Sequence, residues 1–266
     1  MPSGVWVIHF YRNGPEHIQG EPVDFVQIRR RFDFRSIEIG RWVTRAERDV
    51  AAGYFYNALC DLMLILQAPE SLISLRGSLS LQYGTGGRPG VSAHYQPATR
   101  SFALAKNAGP GSIAHEWFHA FDHHMADKAL SGVARHRLTS DAWLNNAATI
   151  KHPLNTLLFQ CFEAVLLSED GSQPSPLFYA SAQMDEQQGI VYFSRPEELC
   201  ARAFEAFVQD AGIKNSFLVK GTKATREAQC GLYPQGTQRD RCNSAFRHYF
   251  HTLGRALQQQ QQGVNA

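Results

Sequence analysis

Surplus charge is the first thing this sequence lacks. Its 266 residues carry 26 Lys and Arg against 24 Asp and Glu, a formal net charge of +2. So even a balance offers no general electrostatic grip on a nucleic-acid backbone or an anionic membrane. The one basic run, "IRRRFDFR" at 28–35, is short enough to be read as a solvated face. Paired cysteine is also missing. The five cysteines, Cys60, Cys161, Cys200, Cys230 and Cys242, are odd in number, widely spaced and never in a C-x-x-C pair. That argues against a disulfide framework or a cysteine-zinc module and for reduced thiols. Long hydrophobic runs are absent as well. The N-terminus "MPSGVWVIHFYRNG" has only a brief apolar run with no small-residue cleavage site after it, so no signal peptide is expected. The longest apolar helix candidate, "YFYNALCDLMLILQ", is interrupted by Asp61 and is too short for a bilayer. A cytoplasmic protein with no membrane and no nucleic-acid partner is the expectation, and 44% hydrophobic residues supply its core.

What is present reads as α+β. "VWVIHF" alternates as a short strand, and the turn-rich "NGPEHIQGEP" after it is irregular. From Thr44 a T-x-x-E capping box with Glu47 opens a long helix that Pro69 stops. "SLRGSLSLQYG" alternates as a half-buried strand, and "GTGGRPG" is a loop, because no Lys-Ser or Lys-Thr follows to make it a phosphate cradle. "VSAHY" and "SFALAK" form a hairpin about "QPATR", and "SFALAK" would be an edge strand on which an extended peptide can pair. Strands first and helices after predict a small, mostly antiparallel sheet with a mainly helical second part. No repeat or linker divides the chain, so residues 1–266 are read as one domain. It would have an irregular entry at 1–20, an insertion or lid at 126–190 and a flexible glutamine-rich tail at 255–266.

Four of the eleven histidines fall in "SIAHEWFHAFDHH" at 112–124. Ser112 can cap a helix from Ile113, on which Ile113, Trp117, Phe118, Phe121 and Met125 form an apolar flank. His115 and His119, four residues apart, then stack on one face, where two imidazoles reach one metal ion. Glu116 beside the first reaches a water at that ion. This is the H-E-x-x-H arrangement, suited to one Zn2+ per chain with Glu116 as general base and acid. Asp122, one turn past His119, is expected to orient an imidazole from behind. His123 and His124 turn away and are expected at the surface.

Zinc needs a third ligand, and no H-x-x-G-x-x-H extension follows the motif. The helix "SRPEELCARAFEAFVQDAG", opened by Ser194 and Glu197 as a capping box, is the other place where acids and small residues coincide. On it Glu198, Arg202 and Glu205 share a polar face, and Ala201 and Ala203 allow close helix approach. Glu198 lies nearer the helix start; Glu205 is placed to hydrogen-bond a ligand histidine. The residues alone leave a plain Glu-Arg-Glu surface ladder as an equal reading.

In order, "RFDFRSIEIGRWV", "SLRGSLSLQYG", "SAHYQP", "SIAHEWFHAFDH", "PEELCARAFEAFV" and "LYPQG" resemble the metallopeptidase domain of large polyvalent proteins and of the CLCA-X family, from about residue 20 to 250. The H-E-x-x-H helix followed by an E-x-x-A-x-A-F helix is more distantly similar to gluzincin-type zinc peptidases such as the lethal factor group. That resemblance implies a zincin-like fold, a peptide or protein substrate, and Glu198 as the third zinc ligand. It also implies an oxyanion-stabilising tyrosine just before the helix, for which Tyr192 is nearest, one residue out of the usual spacing. The interval from His119 to Glu198 is long for that group, and Arg202 stands where the group has an acid. A zinc-stabilised binding module that no longer cleaves, acting between a phage or mobile element and its host, is the alternative.

Overall fold

In the computed structural model, residues 10–85, 93–106 and 111–264 are described. The expected strand "VWVIHF", all but its last residue, most of the "GTGGRPG" loop and the first two residues of "VSAHY" lie outside them.

Asp24 opens the first helix, α1 (Phe25–Phe32), with a reciprocal cap: its carboxylate accepts from Gln27 N and its own N–H donates to Gln27 Oε1, each at 2.8 Å. Phe25, Ile28 and Phe32 face inward and Arg29 to Arg31 outward, so the basic run is largely a solvated helix face. The chain then forms β1 (Ser36–Ile39), α2 (Arg45–Leu66), α3 (Glu70–Ile73), β2 (Ser80–Tyr83), β3 (Ala93–Gln96) and β4 (Ser101–Leu104). The Thr44–Glu47 box holds at the start of α2. By length and composition α2 could cross a membrane, but Phe55, Leu59, Leu62 and Leu66 are fully buried in the core. Asp61, the acid that interrupts its apolar run, is also fully buried. It accepts from Arg12 Nε at 2.6 Å, His17 Nε2 at 2.8 Å and Asn215 Nδ2 at 2.8 Å, which ties the N-terminal segment to the loop after α8 (Pro196–Asp210).

The sheet is mixed, in the order β1-β2-β4-β3, which corrects the expectation of a mostly antiparallel one. β1 with β2 and β2 with β4 are parallel, because α2 and α3 carry the chain back across the sheet before β2 begins. Only β3 and β4, joined by a short turn with Arg100 at φ 46°, make the predicted hairpin, with Ala93 opposite Leu104. "SFALAK" is therefore an interior strand with all four β4 residues buried, and the edge belongs to half-exposed β3.

Helices make up the rest: α4 (Ser112–Ala129), α5 (Thr139–Leu144), α6 (Pro153–Leu166), α7 (Pro176–Gln188), α8, α9 (Arg226–Gln229) and α10 (Gly236–Val264). α4 lies at the centre. Phe118 and Trp117 stack on Phe204 of α8 at 5.0 and 5.5 Å between ring centroids, and Phe246 and Phe250 of α10 close the cluster. Each such buried ring contributes about 1.5–3 kcal/mol. Ala201 and Ala203 are fully buried where the two helices meet. Within 126–190, α6 packs on α8 and α10 and buries Leu158, Phe162 and Val165. Leu144, Ile150, Tyr179 and Ile190 of this stretch are exposed, as is Val191 just after it. The tail is helical through Val264, with Gln260 and Gln261 accepting from and donating to Arg76 and Ser71.

Both expected serine caps are displaced by stronger partners. α4 starts at Ser112 with Gly111 as cap at φ 104°, where an added Cβ would come 2.6 Å from Lys220 N. The orphan amides there are met by backbone: Gly111 N donates to Phe217 O and Ala114 N to Leu218 O. At α8 the cap residue is Arg195 and makes no side-chain bond, because Ser194 N and Oγ both donate to Asp185.

Candidate metal centre

The four-residue spacing puts His115 and His119 side by side on α4, with Nε2 atoms 3.0 Å apart and rings nearly perpendicular. Glu198, entering from the first turn of α8, sets Oε2 at 3.3 Å from His115 Nε2 and Oε1 at 3.5 Å from His119 Nε2. All three ligand atoms lie within 4.8 Å of one another. Tetrahedral zinc with bonds of roughly 2.0–2.1 Å needs neighbouring ligand atoms about 3.3 Å apart. The observed separations bracket that value, so the donor set fits such an ion. The open side faces a cleft of about 770 Å³ that Glu116, Tyr192 and Tyr233 also line.

A second layer fixes the ligands. Glu205 Oε2 lies 3.0 Å from His115 Nδ1, so Nδ1–H donates to it and the Nε2 lone pair turns toward the other two ligands. Burial pushes the His115 imidazolium down, but Glu205 and Glu198 more than reverse this and hold it well above the usual histidine range. Burial would likewise raise Glu198, yet the two imidazoles hold its carboxyl well below the ordinary value. A tyrosine faces each glutamate, Tyr192 beside Glu198 and Tyr233 beside Glu205. Both phenols are raised, first by burial and then by those carboxylates. Between them Arg202 is 6% exposed, donating from Nε to Glu198 O and from Nη2 to Ser181 Oγ and Phe193 O. The Glu-Arg-Glu face is thus buried at the site and is no surface ladder.

Glu116 is 8% exposed at the cleft, and among the described residues no hydrogen bond holds its carboxylate. Burial raises its pKa, opposed by His115, His119 and His94. His94 on the edge strand and Tyr233 were not singled out by sequence reasoning. The only signals were their places in "SAHYQP" and "LYPQG", since neither shares a helix face with a recognised motif.

Three expectations about the opening stretch are corrected. Asp122 does not hold an imidazole: its carboxylate accepts from Ser140 N at 2.9 Å and Ser140 Oγ at 2.5 Å, pinning α5 to α4, and burial pushes it up to about 6. His123 is buried, not at the surface, accepting at Nδ1 from Tyr95 and donating from Nε2 to Arg135 O. His124 is half-buried beside Ser78, and burial lowers it to about 4. β3 packs against α4 and covers the flank that a helix drawn in isolation leaves to solvent.

Asp185, at the end of α7, positions the cleft's rim. Its carboxylate accepts from the backbone N–H groups of Tyr192, Phe193 and Ser194 and from Ser194 Oγ. Asp185→Ala is expected to cost about 2 kcal/mol in urea unfolding. Amide exchange at 192–194 should lose its protection while α4 keeps its own.

No curated protein and no solved structure matches the chain. The family described as large polyvalent protein-associated domain 1 matches residues 184–257, the stretch that carries Asp185, Tyr192, Glu198, Glu205 and Tyr233.

Proposed function

We propose that this chain is a zinc-dependent metallopeptidase, as the resemblance to CLCA-X proteins implies, with His115, His119 and Glu198 holding one zinc ion. The observation that carries the reading is the convergence of three ligand atoms near tetrahedral spacing beside a buried carboxylate that no hydrogen bond holds among the described residues. Zinc bound there supplies Lewis acidity, polarising a peptide carbonyl and lowering the pKa of water. Glu116 takes the proton of the attacking water on its carboxylate and returns it to the departing amine nitrogen. Tyr192, 42% exposed at the mouth, is the donor available to negative charge developing on the carbonyl oxygen. The strand β3, whose Ala93 lines the cleft, is an edge of the sheet among the described residues and offers that edge to an extended peptide. Five free cysteines support a cytoplasmic setting.

The test is metal analysis followed by a diverse peptide library. The purified chain should carry one zinc, cleave library members, lose cleavage to a chelator and regain it on zinc addition. A fully zinc-loaded protein that cleaves nothing is a zinc-stabilised binding module instead.

A further inference from the structure

A second cavity, of about 450 Å³, lies against the half of α4 that follows the metal ligands. Its walls are apolar: Phe121 and Met125 from α4, Leu72 and Leu75 from the α3 region, and Leu253 and Leu257 from α10. α10 forms one side through Leu253, Ala256 and Leu257, with Gln260 the residue of the glutamine run that reaches it. Tyr249 lines the cavity too, and its hydroxyl is buried with no hydrogen-bond partner among the described residues.

The charges around this cavity have one sign. Arg76, Lys128 and Lys151 line it, with His124 and His152, and no Asp or Glu does. Lys128 is paired with the neighbouring Asp127 at 2.8 Å. Arg76 meets only the neutral Gln260, and Lys151 has no ion-pair partner among the described residues. A chain with a net charge of +2 has no general surplus to place here, so two unmatched cations at the rim of an apolar cavity are a local feature. Of the cations on this wall, Lys128 and Arg76 both push the neighbouring His124 down, after burial.

An apolar interior demands a hydrocarbon ligand, and an unmatched cationic rim demands that one end of it be an anion. The volume lies at the small end of ligand pockets, roughly 300–1,000 Å³, enough for one acyl chain and too small for two. We infer that this cavity binds a single-chain fatty acid, acyl chain against Phe121, Met125 and Leu253 and carboxylate between Arg76 and Lys151.

Calorimetric titration of the whole protein with monomeric laurate tests this. Laurate should bind, and octanoate should bind about two orders of magnitude more weakly, at about fourfold per methylene removed. Dodecanol, with the same chain and no charge, should bind at least tenfold more weakly than laurate. Arg76→Glu with Lys151→Glu, both exposed, should abolish the difference between laurate and dodecanol without changing the melting temperature. Ala256→Trp should block both ligands. The inference is overturned if laurate does not bind at millimolar concentration, or if laurate and dodecanol bind alike. It is also overturned if the double charge reversal leaves laurate affinity unchanged, or if the protein binds anionic phospholipid vesicles but no monomeric laurate.

Discussion

Glu198→Ala lowers zinc from one ion per chain to near zero at micromolar protein, while Glu205→Ala leaves the stoichiometry intact and weakens affinity roughly 10–100-fold. The Glu198 carboxylate sets Oε2 at 3.3 Å from His115 Nε2 and Oε1 at 3.5 Å from His119 Nε2, and without it two histidines alone would leave half of a tetrahedral site to water. Glu205 touches only the far nitrogen of His115, so its loss frees the ring's tautomer and orientation while all three ligands remain. Metal analysis by mass spectrometry with a competing chelator separates the two. The opposite ranking would make Glu205 the ligand. The same contacts set a pH dependence. The metal-free His115 holds its proton well above the usual range because Glu205 and Glu198 face it, and that proton must leave Nε2 before a metal binds. Zinc affinity should therefore rise by up to tenfold per pH unit through neutrality until His115 is deprotonated. In Glu205→Ala the rise should level off at lower pH, since the carboxylate that raises the imidazolium is gone.

How far the site can be read from residues alone depends on the distance over which each part is specified. His115 and His119 are legible because a single helix turn brings them together, and the Thr44–Glu47 box because it closes within four residues. Glu198 is different. Its helix pattern shows a polar face but not what that face meets; the meeting is set by Phe118 and Trp117 stacking on Phe204, a contact between segments far apart in the chain. Tyr233 and His94 reach the site only through tertiary docking, so no local period marks them. The caps failed for a related reason. Ser112 and Ser194 have the right local chemistry, but Phe217 and Leu218 carbonyls in one case and the Asp185 carboxylate in the other supply competing partners that a local rule does not contain. Strand direction went the same way: alternation marks β2 and β4 as strands, and only the crossover through α2 and α3 makes β1 and β2 parallel.

Glu116→Gln keeps one zinc per chain and loses peptide hydrolysis by roughly 10²–10⁴-fold, the usual worth of a positioned general base. The substitution preserves the side chain's volume in a site where it is only 8% exposed, and it touches none of the proposed ligands, His115, His119 and Glu198. What it removes is a carboxylate able to accept a proton. A structural role for Glu116 would instead show as lost zinc or a lowered melting temperature in the Gln variant. The pH profile gives a second readout. Glu116 must be ionised to act as base, and burial raises its pKa above the ordinary glutamate value of about 4.3. In the metal-free protein the Glu116 carboxyl should therefore titrate above that value, with His94→Gln moving it further up because His94 is one of the groups that hold Glu116 down. In Glu116→Gln that titration should be missing from the metal-free protein, which assigns it to this carboxylate, while the unchanged zinc content separates the lost hydrolysis from any effect on metal binding.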